Sequence, residues 1–228
     1  SLLEGITAQA PEGVTISHSQ GCLLVYPNLY DSDWTFGLSE WADTVVVCLG
    51  FSPLMEGEQG ECIAAPDGGD KRSIALPENQ LAFLRGLREK IDTNGSGQRL
   101  VVVVAGGGPM ELEPVQALAD ALLWVGYAGE RAGTALGDVL WGQVNPSGKL
   151  PFSIPRKLSD LPPYESYAMD GRSYRFGHSA PLYPFGFGLS YTEFTLGQAA
   201  LEQSETRLLL EVPVTNSGER DGCAVVQV

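Results

Sequence analysis

Five carboxylates stand within fifteen positions, at Glu56, Glu58, Glu61, Asp67 and Asp70, and the cations Lys71 and Arg72 follow at once. Clustered carboxylates raise one another's pKa, and a neighbouring cation lowers it. A carboxyl group held above its ordinary range can protonate a leaving group and later take a proton from water, which is general acid–base chemistry. The same residues also suit a solvated acidic loop, and residue types alone leave both readings open. They lie in residues 51–76, a stretch of about 25 residues with no hydrophobic period, and loops of that length in compact domains are usually functional or disordered.

Other candidates are weaker. Gly106-Gly107-Gly108 follows an apolar run and precedes a possible helix, a placement that can cradle a phosphate on backbone N–H groups. It lacks the GxGxxG spacing and a following Lys-Ser/Thr, so a plain strand-to-helix turn competes. His18 and His178 are far apart and neither adjoins a Ser or Cys motif, so no nucleophile triad is supported. Cys22, Cys48, Cys62 and Cys223 form no CxxC pair and no metal-ligand spacing. Cys48 sits inside an apolar run and is expected to be a buried small hydrophobe.

The elements that must position the acidic loop are legible around it. Residues 44–49 and 100–104 are β-branched runs ending at Gly50 and Gly106, and they read as strands buried on both faces of a parallel sheet. Residues 22–26 and 121–125 are weaker strand candidates. Between the two strong strands, Leu81, Leu84, Leu87 and Ile91 make a helical stripe over 78–92, with Pro77 at the start and Gly95 at the stop. Residues 130–141 read as a second helix ended by Gly142. This alternation predicts an α/β fold, a doubly wound, mostly parallel sheet with helices on both faces. The acidic loop then leaves the C-terminal end of a strand, where open α/β sheets place their sites. Past residue 151, Pro, Tyr, Gly and Ser dominate. Residues 207–214 and 223–228 alternate around Asn216-Ser217-Gly218, the pattern of a β-hairpin that opens a truncated β-sandwich.

Composition bounds the function. The chain has 228 residues and a formal net charge of −14, which argues against nucleic acid and against an anionic membrane surface. Residues 1–70 hold 11 acidic residues and no Lys or Arg. Apolar runs reach only about six residues, far below the roughly 20 that span a bilayer. A chain of this mass folds to roughly 10,000 Å² of surface and can support its own core.

Several motifs occur together in one order. Gly50-Phe51-Ser52-Pro53-Leu54-Met55-Glu56-Gly57-Glu58 is followed by Gly68-Gly69-Asp70-Lys71-Arg72-Ser73-Ile74-Ala75-Leu76-Pro77 and Gln80. Next come Gly129-Glu130-Arg131-Ala132-Gly133-Thr134-Ala135, Asn145-Pro146-Ser147-Gly148-Lys149-Leu150-Pro151 and Tyr183-Pro184-Phe185-Gly186-Phe187-Gly188-Leu189-Ser190-Tyr191-Thr192. This series resembles the C-terminal α/β-sandwich (flavodoxin-like) domain of glycoside hydrolase family 3, which includes β-glucosidases and β-xylosidases. Pro213-Val214-Thr215-Asn216-Ser217-Gly218 with Gly222 resembles the opening of that family's fibronectin type III-like domain. The implied boundaries are a sandwich domain over 1–196 and a truncated fibronectin-like domain over 197–228.

The resemblance implies an exo-acting retaining β-glycosidase that hydrolyses terminal β-linked sugars of oligosaccharides or aryl β-glycosides. It implies a nucleophilic Asp on an N-terminal (β/α)₈ barrel of the same enzyme, a general acid/base on the acidic loop, and no metal or organic cofactor. Glu58 matches the position that often carries the acid/base, with Glu56 and Glu61 as competitors. Asp70, Lys71 and Arg72 are implied to anchor the loop, and Lys71 stands where the family often has Arg. Asp31-Ser32-Asp33-Trp34 looks like the family's nucleophile element but falls in the sandwich domain. A periplasmic or extracellular location follows from the resemblance alone. The alternative is a non-catalytic carbohydrate-binding or scaffold module, in which Trp34, Trp41, Trp124 and Trp141 offer stacking faces.

Overall fold

The structure, a computed structural model, describes residues 1–27, 33–57, 60, 62, 65, 68–69, 71–95 and 97–227. In chain order the α/β part contains α1 (Leu2–Ala8), α2 (Asp33–Ser39), β1 (Thr44–Gly50), α3 (Glu78–Asn94), β2 (Arg99–Ala105), α4 (Glu113–Gln116), β3 (Ala121–Trp124) and α5 (Ala132–Leu140). The three strands form a parallel sheet in the order β1-β2-β3, with Val47 opposite Val102 and Val102 opposite Leu122. This is the parallel α/β sheet that the two β-branched runs predict.

The central strand explains the core. Val102 and Val103 point to opposite faces of the sheet, and both are fully buried, so β2 is covered on both sides. The α3 stripe closes one face, with Leu81, Leu84, Leu87 and Ile91 all buried. The helix stops at Gly95, whose φ of 64° is the left-handed conformation that glycine adopts without steric cost.

Two sequence expectations are corrected here. Cys48 is exposed, not buried. It lies on the edge strand β1, where Val47 and Leu49 face the core while Val46 and Cys48 face outward. Residues 22–26 form no strand. Their carbonyls are taken by side chains instead, Leu23 O by Asn79 Nδ2 at 2.6 Å and Leu24 O by Gln80 Nε2 at 2.8 Å.

Helices α1 and α5 pack backbone to backbone. A Cβ on Gly133 would lie 2.1 Å from Ser1 O, so only glycine admits this approach. Downstream, residues 150–187 fold back on the core, with Ile154 fully enclosed and bridged to Tyr183. The C-terminal part carries β4 (Phe194–Leu196), β5 (Ala200–Gln203), β6 (Leu208–Glu211) and β7 (Val214–Asn216).

The antiparallel pairing differs from the expected hairpin. β6 pairs upstream with β5, and β7 pairs with β4. Residues 221–227 form no strand. Alternation marks a strand but not its partner, and Ser204 closes the β5–β6 turn by accepting the Arg207 N–H on its Oγ and giving its own N–H to Arg207 O. Between Arg156 and Gln227, Thr192 is the one buried residue among those described. The chain exposes 14867 Å², well above the roughly 10,000 Å² that its mass predicts for a self-contained body.

Candidate functional site

The acidic loop leaves the sheet at Gly50, and this junction is held by one side chain. Gln80, on the first turn of α3, is 2% exposed. Its Oε1 accepts the Gly50 N–H at 2.8 Å, and its Nε2 donates to Gly50 O and Leu24 O, each at 2.8 Å. Gly50 itself has a φ of 130°, and a Cβ there would lie 1.9 Å from Ala105 O. The Phe51 N–H donates to that same Ala105 oxygen at 2.9 Å. The last residues of β1 and β2 thus lock together, and the chain turns out of the sheet at a fixed point.

Glu56 is the anchor of the loop. Its Oε1 accepts from Lys71 Nζ, on the returning limb of the loop. Its Oε2 accepts from the Tyr127 hydroxyl and from the Gly107 N–H, the latter at 3.1 Å. Lys71 Nζ also sits 3.9 Å from the Phe51 ring centroid, a cation–π contact that fastens the loop's outgoing and returning limbs together. Burial pushes the Glu56 carboxyl up, but Lys71, Tyr127 and Gly107 outweigh it and hold it below the ordinary carboxylate range. The Tyr127 hydroxyl is pushed up by burial and by the adjacent Glu56 charge. At neutral pH the pair is therefore a carboxylate accepting from a protonated phenol.

Cys62 ties back to the outgoing limb of the loop. The buried thiol donates to Leu54 O at 2.5 Å and accepts the Gly57 N–H at 3.4 Å. Lys71, Arg72, Phe51, Met55 and Leu76 line an open hollow of about 270 Å³ beside the loop.

The sequence candidates divide as follows. Glu56 and Lys71 come together as one ion pair, with side chains 15% and 24% exposed. Arg72 is exposed on the returning limb. Glu58, Glu61 and Asp70 lie outside the described residues, as do Asp31 and Ser32. The Gly106-Gly107-Gly108 turn gives its Gly107 N–H to Glu56. Among the described residues no group of His, Cys, Asp and Glu is arranged to hold a metal ion, and no helix is long and apolar enough to cross a membrane. Trp124 packs edge-on against Phe152, and Trp141 donates to Ile6 O at 2.8 Å, whereas Trp34 and Trp41 are 77% and 88% exposed.

The contacts of two residues escape a reading of the sequence. Gln80 belongs to the motif series above, but its place on an amphipathic helix does not show that its amide holds Gly50. Tyr127 follows β3 between Gly126 and Gly129, whose φ values of 57° and 75° bend the chain back over the sheet edge. That Gly-Tyr-Ala-Gly segment after a strand was the available signal.

Comparison with known proteins places the chain as a whole. A family model described as the glycosyl hydrolase family 3 C-terminal domain matches residues 1–191. A xylan 1,4-beta-xylosidase of Xylanibacter ruminicola is 38% identical over 187 residues, covering 81% of this chain and 21% of that protein. A periplasmic beta-glucosidase of Salmonella typhimurium is 31% identical over 264 residues, covering 100% of this chain and 32% of that protein. Beta-glucosidase 3B from Thermotoga neapolitana, solved with glycerol, superposes with a TM-score of 0.67 at 28% identity over 86% of this chain and 28% of that one. The chain therefore spans about a fifth to a third of the length of these relatives.

Proposed function

The chain belongs to glycosyl hydrolase family 3, and from that premise we propose that it is the part of a retaining β-glycosidase that supplies the general acid/base, Glu58, from the loop after β1. The observation that carries this reading is the commitment of Glu56. It is ionised and tied to three donors, so it has no proton to give. The proton-transfer role then passes to another carboxylate of the same loop, and the motif resemblance selects Glu58 over Glu61.

In this reading Glu58 protonates the departing glycosidic oxygen as the sugar transfers to a carboxylate nucleophile. It then deprotonates the water that hydrolyses the covalent intermediate. The nucleophile is an Asp on a barrel domain elsewhere in the same enzyme, about 5–5.5 Å from the acid/base carboxyl as retaining chemistry requires. The large exposed area and the thinly buried stretch from Arg156 onward support a role as one body of a larger enzyme. The names of the relatives support terminal β-linked glucosyl or xylosyl residues as the substrate class.

The test is Glu58→Gln in the full-length enzyme, assayed on β-glycosides of graded leaving-group pKa. General acid assistance is worth ~10²–10⁴-fold, so kcat/KM should fall by that order on poor leaving groups and little on activated aryl glycosides. An equal loss on both classes would remove Glu58 from the role.

A further inference from the structure

We propose that Glu56 and Tyr127 are positioning residues for the acid/base, a clamp that joins the loop after β1 to the turns after β2 and β3 and so holds the chain that leads to residue 58. The inference rests on the acid/base reading above.

The geometry is specific. One carboxylate bonds the returning limb of its own loop through Lys71, the turn after β2 through Gly107, and the turn after β3 through Tyr127. All three turns leave the C-terminal edge of the sheet. The packing around the carboxylate is at contact distance. A Cβ on Gly107 would lie 3.2 Å from Glu56 Oε2 and 3.1 Å from the Tyr127 ring. The tie also does little for the core. Tyr127 is 48% exposed, and neither Glu56 nor Tyr127 belongs to the hydrophobic cluster. What the tie does fix is the chain two residues before position 58, and two residues reach at most about 7 Å. Cys62 restrains the same segment from the other side, through Leu54 and Gly57.

A clamp of this kind acts through Glu58, which gives it a signature that plain loss of folding lacks. A poorly placed acid lowers kcat/KM only on substrates whose leaving group needs protonation, because kcat/KM reports the first step and the later base step shows in kcat. In the full-length enzyme, Tyr127→Phe removes one hydroxyl and leaves the Lys71 and Gly107 bonds to Glu56. Misplacing a catalytic group by 1 Å can cost ~10²-fold, so losing one of three ties should lower kcat/KM on a phenyl β-glycoside about tenfold, and on the 2,4-dinitrophenyl β-glycoside less than about twofold. Glu56→Gln should show the same selectivity with a larger loss. In a Glu58→Gln background, Tyr127→Phe should add nothing on either substrate, because the group it positions is already gone.

Equal losses on both substrates, no loss on either, or an undiminished tenfold loss in the Glu58→Gln background would each overturn the clamp. If Glu58→Gln shows the leaving-group dependence and Tyr127→Phe does not, the clamp fails and the acid/base assignment stands. If Glu58→Gln itself lacks that dependence, the assignment fails and takes the clamp with it.

Discussion

Replacing Gln80 by Leu should loosen the origin of the acidic loop while leaving the sheet intact. The change strands the buried Gly50 N–H and carbonyl and the partly buried Leu24 carbonyl. Each stranded group costs about 1–3 kcal/mol, with carbonyls at the lower end, so the local loss is about 4 kcal/mol. Every 1.4 kcal/mol is about tenfold in an opening equilibrium, so amide exchange in peptides covering residues 48–56 should accelerate by about 10³-fold. Asn79→Ala is the internal comparison. It removes the bond to Leu23 O but also removes Asn79 Oδ1, which is buried with no hydrogen-bond partner among the described residues. The two effects offset, and exchange there should change by less than about tenfold. Hydrogen exchange read by mass spectrometry on both variants decides the matter. If Gln80→Leu accelerates exchange by less than about tenfold, the amide of Gln80 does not hold the junction and the argument fails.

Titration of the Glu56 side-chain carbonyl by carbon NMR should give a midpoint below 4.5, because its donors favour the charged form. The sign follows directly. The tie is complete above pH 4.5 and is lost as the pH falls through the lowered folded-state value, and Tyr127→Phe should move the midpoint back toward 4.5. A wild-type midpoint at or above 4.5 would contradict the clamp geometry. Separately, Gly133→Ala places a methyl 2.1 Å from Ser1 O and must part α1 from α5. Overpacking of this kind costs about 1–3 kcal/mol, so exchange in residues 2–8 should rise by about tenfold or more while residues 100–104 stay protected.

The fold was legible where local pattern and tertiary role agree. The β-branched runs at β1 and β2 and the leucine stripe of α3 have lengths and periods that admit one reading. Legibility ended where the deciding partner lies far along the chain. Residues 22–26 look like a strand, yet side chains 56 positions later take two of their carbonyls. Cys48 sits in a run that reads the same on either face, and only the position of β1 at the sheet edge exposes it. The alternation over 207–214 is genuine, but its partner is upstream. The acidic loop was visible through its length, its charge and its place after a strand. Its anchoring was not, since Glu56 and Tyr127 are 71 positions apart and neither forms a motif with the other. Such contacts depend on sheet order, which brings the turns after β1, β2 and β3 side by side.

The central claim, that Glu58 is the acid/base of a retaining glycosidase, is tested most directly by chemical rescue. Glu58→Ala in the full-length enzyme should hydrolyse a 2,4-dinitrophenyl β-glycoside slowly, because the glycosyl-enzyme intermediate lacks a base to activate water. Azide needs no base. Adding it should accelerate turnover and give a glycosyl azide that keeps the β-configuration, while Glu56→Ala should show no such rescue. A Glu58→Ala enzyme unmoved by azide, or one that yields the α-azide, would contradict the account.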